Sequence, residues 1–321
     1  MSSVSLPPMA HFQSALTQVR ARLPPTPLFA APDLEALAGR ALWLKAESLQ
    51  PTGSFKVRGV INWLHCADEA QRRAGLVTVS AGNHALALAW GARQHPLPVT
   101  VVMPKDSSPL KIERTKALGA QVVLKESIQE AVSHCAELRE QHRLTLVHPY
   151  NDPDIMAGQG TVALEMLAQL PHLRQVLCPV GGGGLAGGMG LVLKALRPDV
   201  ELIGIEPEGA ATLRNAWDQG RDDAALPGVN TMAASLAPVV VGNYTYAATR
   251  ATMDHLVTVT EEGIREATSA LLTRGHLYAE TGAAVTLAAL MEGRIPASDG
   301  PTVAVVTGGN MDLQQVATLS E

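Results

Sequence analysis

Short β-branched runs alternate with amphipathic stretches along nearly the whole chain, a pattern that predicts a parallel α/β sheet. Strands are expected at 41–46, 75–80, 99–103, 121–124, 145–147, 175–180, 201–205, 255–259 and 302–306. Several of these are continuous apolar runs, as strands covered on both faces should be. Helical periodicity falls between them, at 56–68, 84–95, 109–118, 128–141, 158–170, 185–196, 261–274 and 281–291. Thr260 stands before Glu261 and Glu262, placing a capping hydroxyl and two carboxylates at the positive end of a helix. Ser54 is expected to cap the helix that begins near Lys56. Residues 224–244, broken by Pro227 and Pro238, read as one long connection, and connections of that length are usually functional.

Composition narrows the class. With 321 residues, 46% hydrophobic and 17% charged, the chain can bury a sizeable core as one large domain or two ordinary ones. Lys plus Arg total 25 against 30 Asp plus Glu, a net charge of −5, so no basic excess exists to neutralise nucleic-acid phosphates. Aromatic residues are 3%, too few for a base-stacking platform. Cys66, Cys135 and Cys178 are odd in number and far apart, which excludes a disulfide framework and points to a reduced, cytoplasmic setting. The uncharged stretches 175–193 and 224–249 are interrupted by prolines and glycines, so neither reads as a membrane span. The segment from Met1 to Pro8 lacks the basic start and apolar run of a signal peptide.

Chemistry concentrates at turns between a strand and a helix. Gly181-Gly182-Gly183-Gly184-Leu185-Ala186-Gly187-Gly188 follows an apolar strand and opens a helix, where backbone amides and the helix dipole together favour a phosphate. Gly182, Gly184 and Gly187 also fit the dinucleotide fingerprint, with Glu206 where a ribose-binding acid would sit. No Gly-Lys pair exists for a P-loop. From the glycines alone, a dinucleotide and a phosphorylated cofactor remain equal readings.

Lys56 follows the turn Pro51-Thr52-Gly53-Ser54-Phe55, in a chain with only seven lysines. At a helix N-terminus it opposes the dipole; burial and the positive charge of Arg58 are expected to lower its pKa and free a nucleophilic amine. A solvated surface lysine is the other reading of the same spacing. Ser80-Ala81-Gly82-Asn83-His84 forms a third turn, with amides suited to a carboxylate and a side-chain amide at Asn83; His84 reads as structural or as an acid–base group. Thr307-Gly308-Gly309-Asn310 follows the strand expected at 302–306. Ligands in open α/β sheets bind beyond the carboxyl ends of strands, so these turns are expected to face one crevice. No His-Glu-x-x-His and no Gly-x-Ser-x-Gly occurs, which leaves zinc-protease and serine-hydrolase chemistry without support.

Ser54-Phe55-Lys56-Val57-Arg58-Gly59, Ser80-Ala81-Gly82-Asn83-His84, Gly181 to Gly184 and Thr307-Gly308-Gly309-Asn310 stand in the order and approximate spacing of the serine/threonine dehydratases. The chain resembles that family of fold type II pyridoxal-phosphate enzymes, which includes serine racemase, from about residue 23 to 313. Pro24-Pro25-Thr26-Pro27-Leu28, His148-Pro149-Tyr150-Asn151-Asp152-Pro153 and Gly204-Ile205-Glu206-Pro207 agree as well. The resemblance implies two open, mostly parallel twisted sheets flanked by helices, with a small mobile domain (71–148) inserted in a large cofactor-binding domain (1–70 and 149–321). It implies a Schiff base of Lys56 with pyridoxal 5'-phosphate, Phe55 against the ring, and the phosphate on Gly181, Gly182, Gly183 and Gly184. Asn83 would meet the ring hydroxyl and Thr307 the ring nitrogen. Ser80, Ala81, Gly82 and His84 would take the substrate carboxylate. The implied activity is an ammonia-lyase converting a β-hydroxy amino acid such as L-threonine or L-serine to the 2-oxo acid and ammonia, in a homodimer or homotetramer. Phenylserine or threo-3-hydroxyaspartate dehydration, or serine racemisation, are the alternatives; a catalytically silent cofactor-binding protein is the reading outside the enzyme class. Racemising members carry a serine where this chain has Ala81, so little racemase activity is expected. Glu206 and Ala210 match a divalent-cation site of some members, but Thr212 replaces its aspartate, and no required metal is expected.

Overall fold

The computed structural model describes residues 4–320; the first three positions of the N-terminal segment read above lie outside them. Among the described residues the strands are β1 (Leu28–Ala30), β2 (Leu42–Ala46), β3 (Leu76–Val79), β4 (Val99–Pro104) and β5 (Gln121–Lys125). They continue with β6 (Thr145–Leu146), β7 (Gln175–Pro179), β8 (Glu201–Pro207), β9 (His255–Val259) and β10 (Thr302–Val306). The helices run α1 (Met9–Arg20), α2 (Pro32–Ala38), α3 (Lys56–Cys66), α4 (Glu69–Arg73), α5 (Asn83–Arg93), α6 (Pro109–Ala117) and α7 (Ile128–His142). They end with α8 (Pro153–Gln169), α9 (Gly184–Leu196), α10 (Thr212–Gln219), α11 (Asn243–Thr252), α12 (Glu261–Thr273), α13 (Thr281–Met291) and α14 (Leu313–Ala317).

Two sheets result, as expected. One has six strands in the order β1-β2-β10-β7-β8-β9, parallel except for β1; the other has four parallel strands ordered β5-β4-β3-β6. Alternation explains how the larger sheet is covered. On β10, Ala304 and Val306 enter a core with α2, α12 and α13, whereas Val303 and Val305 enter one with α1, α8 and α9. The smaller sheet packs Leu76, Val101 and Met103 against α3 and α5, and Val77 and Val102 against Ala131 and Cys135 of α7. No helix among the described residues is long and apolar enough to cross a membrane.

Several boundaries differ from expectation for identifiable reasons. Thr260 caps α12 as expected, accepting from the Gly263 amide at 3.0 Å. Ser54 does not cap α3: Phe55 occupies the N-cap position, and a backbone bridge to Gly308 holds Ser54 with its hydroxyl buried and unpartnered. The helix expected at 158–170 starts at Pro153, because Asp152 Oδ1 accepts from the amides of Asp154 and Ile155 and proline suits the first helical position. Asp68, expected inside α3, lies beyond its end and caps α4. The connection 224–242 carries only one 3-10 turn, Ala234–Leu236, before α11 begins.

Candidate functional site

The carboxyl ends of β3, β7 and β10 and the start of α3 open on one cavity of about 660 Å³. Phe55, Lys56, Ser80, Ala81, Gly82, Asn83, His84, Gly181, Gly182, Gly183, Gly184 and Thr307 all line it. The crevice inferred from separate turns is therefore present. Its supports are backbone ties as well as packing: the Phe55 amide donates to the Thr307 carbonyl at 3.1 Å, joining the start of α3 to the end of β10.

Lys56 reaches across the cavity, and its Nζ donates to the Pro149 carbonyl at 2.6 Å while lying 5.2 Å from the Phe55 ring centre. Burial pulls its pKa down from 10.5 to about 8, partly opposed by the Glu280 carboxylate. The expected contribution of Arg58 is not what lowers it. Two positions along a helix point to different faces, and Arg58 turns into the interior, held by Glu47 and Glu165. A neutral amine near pH 8 has a measurable consequence. The rate at which apoprotein captures pyridoxal 5'-phosphate should rise with pH and level off above about 8, because only the neutral amine attacks an aldehyde. A rate still climbing near the ordinary lysine value of about 10.4 would contradict the lowered pKa.

The glycine turn is narrow. A Cβ on Gly182 would fall 2.3 Å from the Tyr150 ring, and Gly183 has φ +81°, a left-handed conformation that side chains disfavour. Gly183 is also the N-cap of α9, which has no side-chain cap. Amides at a thirteen-residue helix N-terminus therefore face the cavity without a protein side chain to satisfy them. Gly182→Ala should displace Tyr150, whose hydroxyl donates to the Val240 carbonyl at 2.7 Å and so ties the long connection to this turn. The expected outcome is about five- to hundredfold weaker retention of the cofactor on dialysis, from a clash of the order of 1–3 kcal/mol; unchanged retention would contradict it.

Asn83 sits in a relay. Its Nδ2 donates to Glu280 Oε1 at 2.6 Å, and its Oδ1 accepts from Asn310 Nδ2 at 2.9 Å. Arg114 donates to Asn310 Oδ1 at 2.7 Å, and Lys111 Nζ lies 3.9 Å from Glu280 Oε2. One Asn83 N–H remains free for a ligand. Ser80 Oγ accepts from the amides of Gly82 (3.3 Å) and Ala85 (3.2 Å), keeping its own hydrogen for donation. His84 is drawn down to about 3 by burial and by Lys56; its Nε2–H donates to the Val147 carbonyl at 3.1 Å and its buried Nδ1 has no partner. His148 is lowered to about 4, first by burial and then by Lys56, and its Nδ1 accepts from the Asn151 amide at 2.8 Å. Both imidazoles are thus neutral at physiological pH.

Sequence reasoning gave no role to the Pro149 carbonyl, Tyr150, His148, Glu280 or Asn310. Motifs containing all of them but Glu280 are visible in the sequence, but a carbonyl acceptor leaves no trace in residue type. Glu206 and Thr212 lie outside the cavity lining. The Glu206 carboxylate, raised to about 8 by burial, accepts from the Leu213 and Arg214 amides at the start of α10. Thr212 donates to the Pro238 carbonyl at 2.6 Å. Glu206 is a helix cap here, not a ribose ligand.

A cavity with a buried amine at one wall and uncapped helix amides at another suits an aldehyde that carries a phosphate. Residues 19–308 match the model of the pyridoxal-phosphate dependent enzymes, and the chain belongs to that family. It is 36% identical over 315 residues to an L-threonine ammonia-lyase of Geobacter sulfurreducens, covering 98% of this chain and 78% of that one. An L-threo-3-hydroxyaspartate ammonia-lyase of a Pseudomonas species is also 36% identical, over 295 residues and 92% of each chain. Among solved structures, maize serine racemase superposes with a TM-score of 0.92 at 29% identity, over 98% of this chain and 97% of that one. The cofactor of the family fits these residues: Gly182 has no room for a side chain, the left-handed backbone of Gly183 disfavours one, and the uncapped amides of α9 and the amine of Lys56 border the same space.

Proposed function

We propose that this protein is a pyridoxal-phosphate-dependent ammonia-lyase that converts a β-hydroxy amino acid such as L-threonine or L-serine to the 2-oxo acid and ammonia. Lys56 would hold the cofactor covalently through its aldehyde carbon, Phe55 would lie against the ring, and the amides of Gly181 to Gly184 would hold its phosphate. The remaining N–H of Asn83 would meet the ring hydroxyl and the Thr307 hydroxyl the ring nitrogen. When bound, the cofactor supplies an electron sink for the pair left at the substrate Cα. Lys56, freed once substrate takes its place, is the base for the Cα proton. Its lowered pKa keeps a useful fraction neutral near pH 7, which an ordinary lysine lacks. The turn at the start of α5, with Ser80, Ala81, Gly82 and His84, is suited to the substrate carboxylate through N–H and O–H donors. Water lost in the elimination is regained in the hydrolysis that releases ammonia, so the net change is deamination.

The observation that carries this reading is the amine of Lys56, desolvated in the same cavity as the glycine turn. Release of 2-oxo acid should be measured across β-hydroxy amino acids of both configurations, with chiral analysis of the remaining substrate. Turnover of L-threonine or L-serine is expected; cofactor binding without turnover of any of them would overturn it in favour of a silent binding protein. Ala81 offers no hydroxyl proton to the opposite face of Cα, so D-serine should form far more slowly than pyruvate. Lys111 and Arg139 also line the cavity, which supports threo-3-hydroxyaspartate as a second reading, distinguished by the same assay.

Residues 71–148 are proposed to form a small domain that closes over bound substrate and excludes water, with 1–70 and 149–321 as the large cofactor-binding domain. The boundaries take support from the four-stranded sheet, whose strands run from Leu76 to Leu146. A cytoplasmic homo-oligomer is proposed as well, in keeping with three free cysteines. No divalent cation is proposed to be required, since Glu206 and Thr212 already have backbone partners. Undiminished activity after chelation would agree, and loss restored by magnesium would not.

A further inference from the structure

At the far end of α3 from Lys56, three side chains from three helices converge. His11 of α1, Cys66 at the end of α3 and Asp154 in the first turn of α8 bring their ligand atoms within 4.8 Å of one another. His11 Nε2 lies 2.9 Å from Asp154 Oδ1 and 3.7 Å from Cys66 Sγ. Around a tetrahedral zinc ion, metal–ligand lengths of about 2.0–2.3 Å separate nitrogen, oxygen and sulfur donors by about 3.3–3.8 Å. The nitrogen–sulfur spacing already meets that, and the nitrogen–oxygen spacing needs to open by only a few tenths of an ångström. We propose that His11, Cys66 and Asp154 form a binding site for a borderline transition-metal ion, zinc above all, with water completing the coordination.

The donor chemistry selects the metal class. An imidazole nitrogen, a thiolate sulfur and one carboxylate oxygen suit zinc or cobalt and not the hard ions magnesium or calcium, which take oxygen. On coordination the ion would displace the Cys66 thiol proton to solvent. Asn62 braces the cluster from α3, donating to the Asp154 backbone carbonyl at 2.8 Å and accepting from Cys66 at 3.9 Å. His11 and Asp154 are about a quarter to a third exposed and Cys66 is exposed, so an ion has access. Ten residues of α3, an axial distance of about 15 Å, separate this site from Lys56. The ion would therefore clip α1 and α8 to α3 and take no part in turnover.

The test uses metal-free holoenzyme titrated with cobalt(II), read at wavelengths beyond the cofactor's own absorbance. Intense visible bands of tetrahedral cobalt that saturate at one equivalent and are bleached by zinc are expected. Cys66→Ala should remove them and His11→Ala should weaken binding at least about tenfold, both with turnover unchanged. Bands that survive Cys66→Ala, or a spectrum that stays that of the aquo ion, would overturn the proposal and leave an ordinary His11–Asp154 contact.

Discussion

Lys56→Ala is expected to abolish 2-oxo-acid release, with a fall in kcat on the order of 10³-fold or more, since it removes the group proposed as both covalent anchor and base. The same variant should fail to hold the cofactor's visible absorbance through gel filtration. Lys56→Arg separates charge from chemistry. A guanidinium keeps the positive charge near Glu280 but never deprotonates, so it neither attacks an aldehyde nor removes a proton. No rescue is expected in that variant. Activity above about a tenth of wild type in either would show that another group does the work assigned to this amine.

The largest stability effect is expected two residues further on. Arg58 is fully buried and holds two carboxylates at once. Nε and Nη2 donate to Glu47 at 2.7 and 2.8 Å, and Nη1 and Nη2 donate to Glu165 at 2.8 and 2.7 Å. Lys45, also fully buried next to the end of β2, donates to Glu165 at 2.8 Å and to the Thr26 carbonyl at 3.0 Å. Two cations thus balance two anions; the Thr26 hydroxyl also donates to Glu47 at 2.6 Å, and Arg58 Nη1 also donates to the Thr161 hydroxyl at 3.1 Å. Desolvation is the largest influence on Lys45 and lowers its pKa against the pull of the carboxylates. Desolvation works the same way on Arg58, but the two carboxylates outweigh it and hold the guanidinium charged. Arg58→Met fills similar space yet leaves one uncompensated negative charge in a dry interior. Breaking a buried pair in this way costs about 3–5 kcal/mol. The denaturation midpoint should fall accordingly, with the slope unchanged; a loss below about 1 kcal/mol would mean that the network relaxes or admits water. Arg58→Lys should recover only part, because an ammonium cannot serve both carboxylates bidentately.

Sequence and structure agree best where one physical signal dominates. Compact apolar runs between polar or glycine-containing turns were legible: β9, β10 and α13 have the bounds expected at 255–259, 302–306 and 281–291. The glycine turn, Lys56 and the two other turns were legible because each lies at the carboxyl end of a strand or the start of a helix. β1 was not, since its three residues lie between Pro27 and Pro32 and are too few to show a period; pairing with β2 alone makes it a strand. α1 went unassigned although Phe12, Ala15 and Val19 keep helical spacing, for lack of a capping side chain at Pro8. The start of α8 was legible in Asp152-Pro153 and was missed. For Arg58, proximity to Lys56 in sequence is not proximity in space; its partners stand 11 and 107 residues away. The Lys56 contact with a carbonyl 93 residues distant belongs to the same class, fixed by tertiary packing and silent in local pattern.

Reducing the holoenzyme with borohydride fixes any carbon–nitrogen double bond between cofactor and protein, and peptide mass mapping then locates the label. A single pyridoxyl group on the peptide containing Lys56, absent from Lys56→Ala, is the result this account requires. A label on any of the other six lysines, or cofactor released entirely as free pyridoxine phosphate, would contradict it.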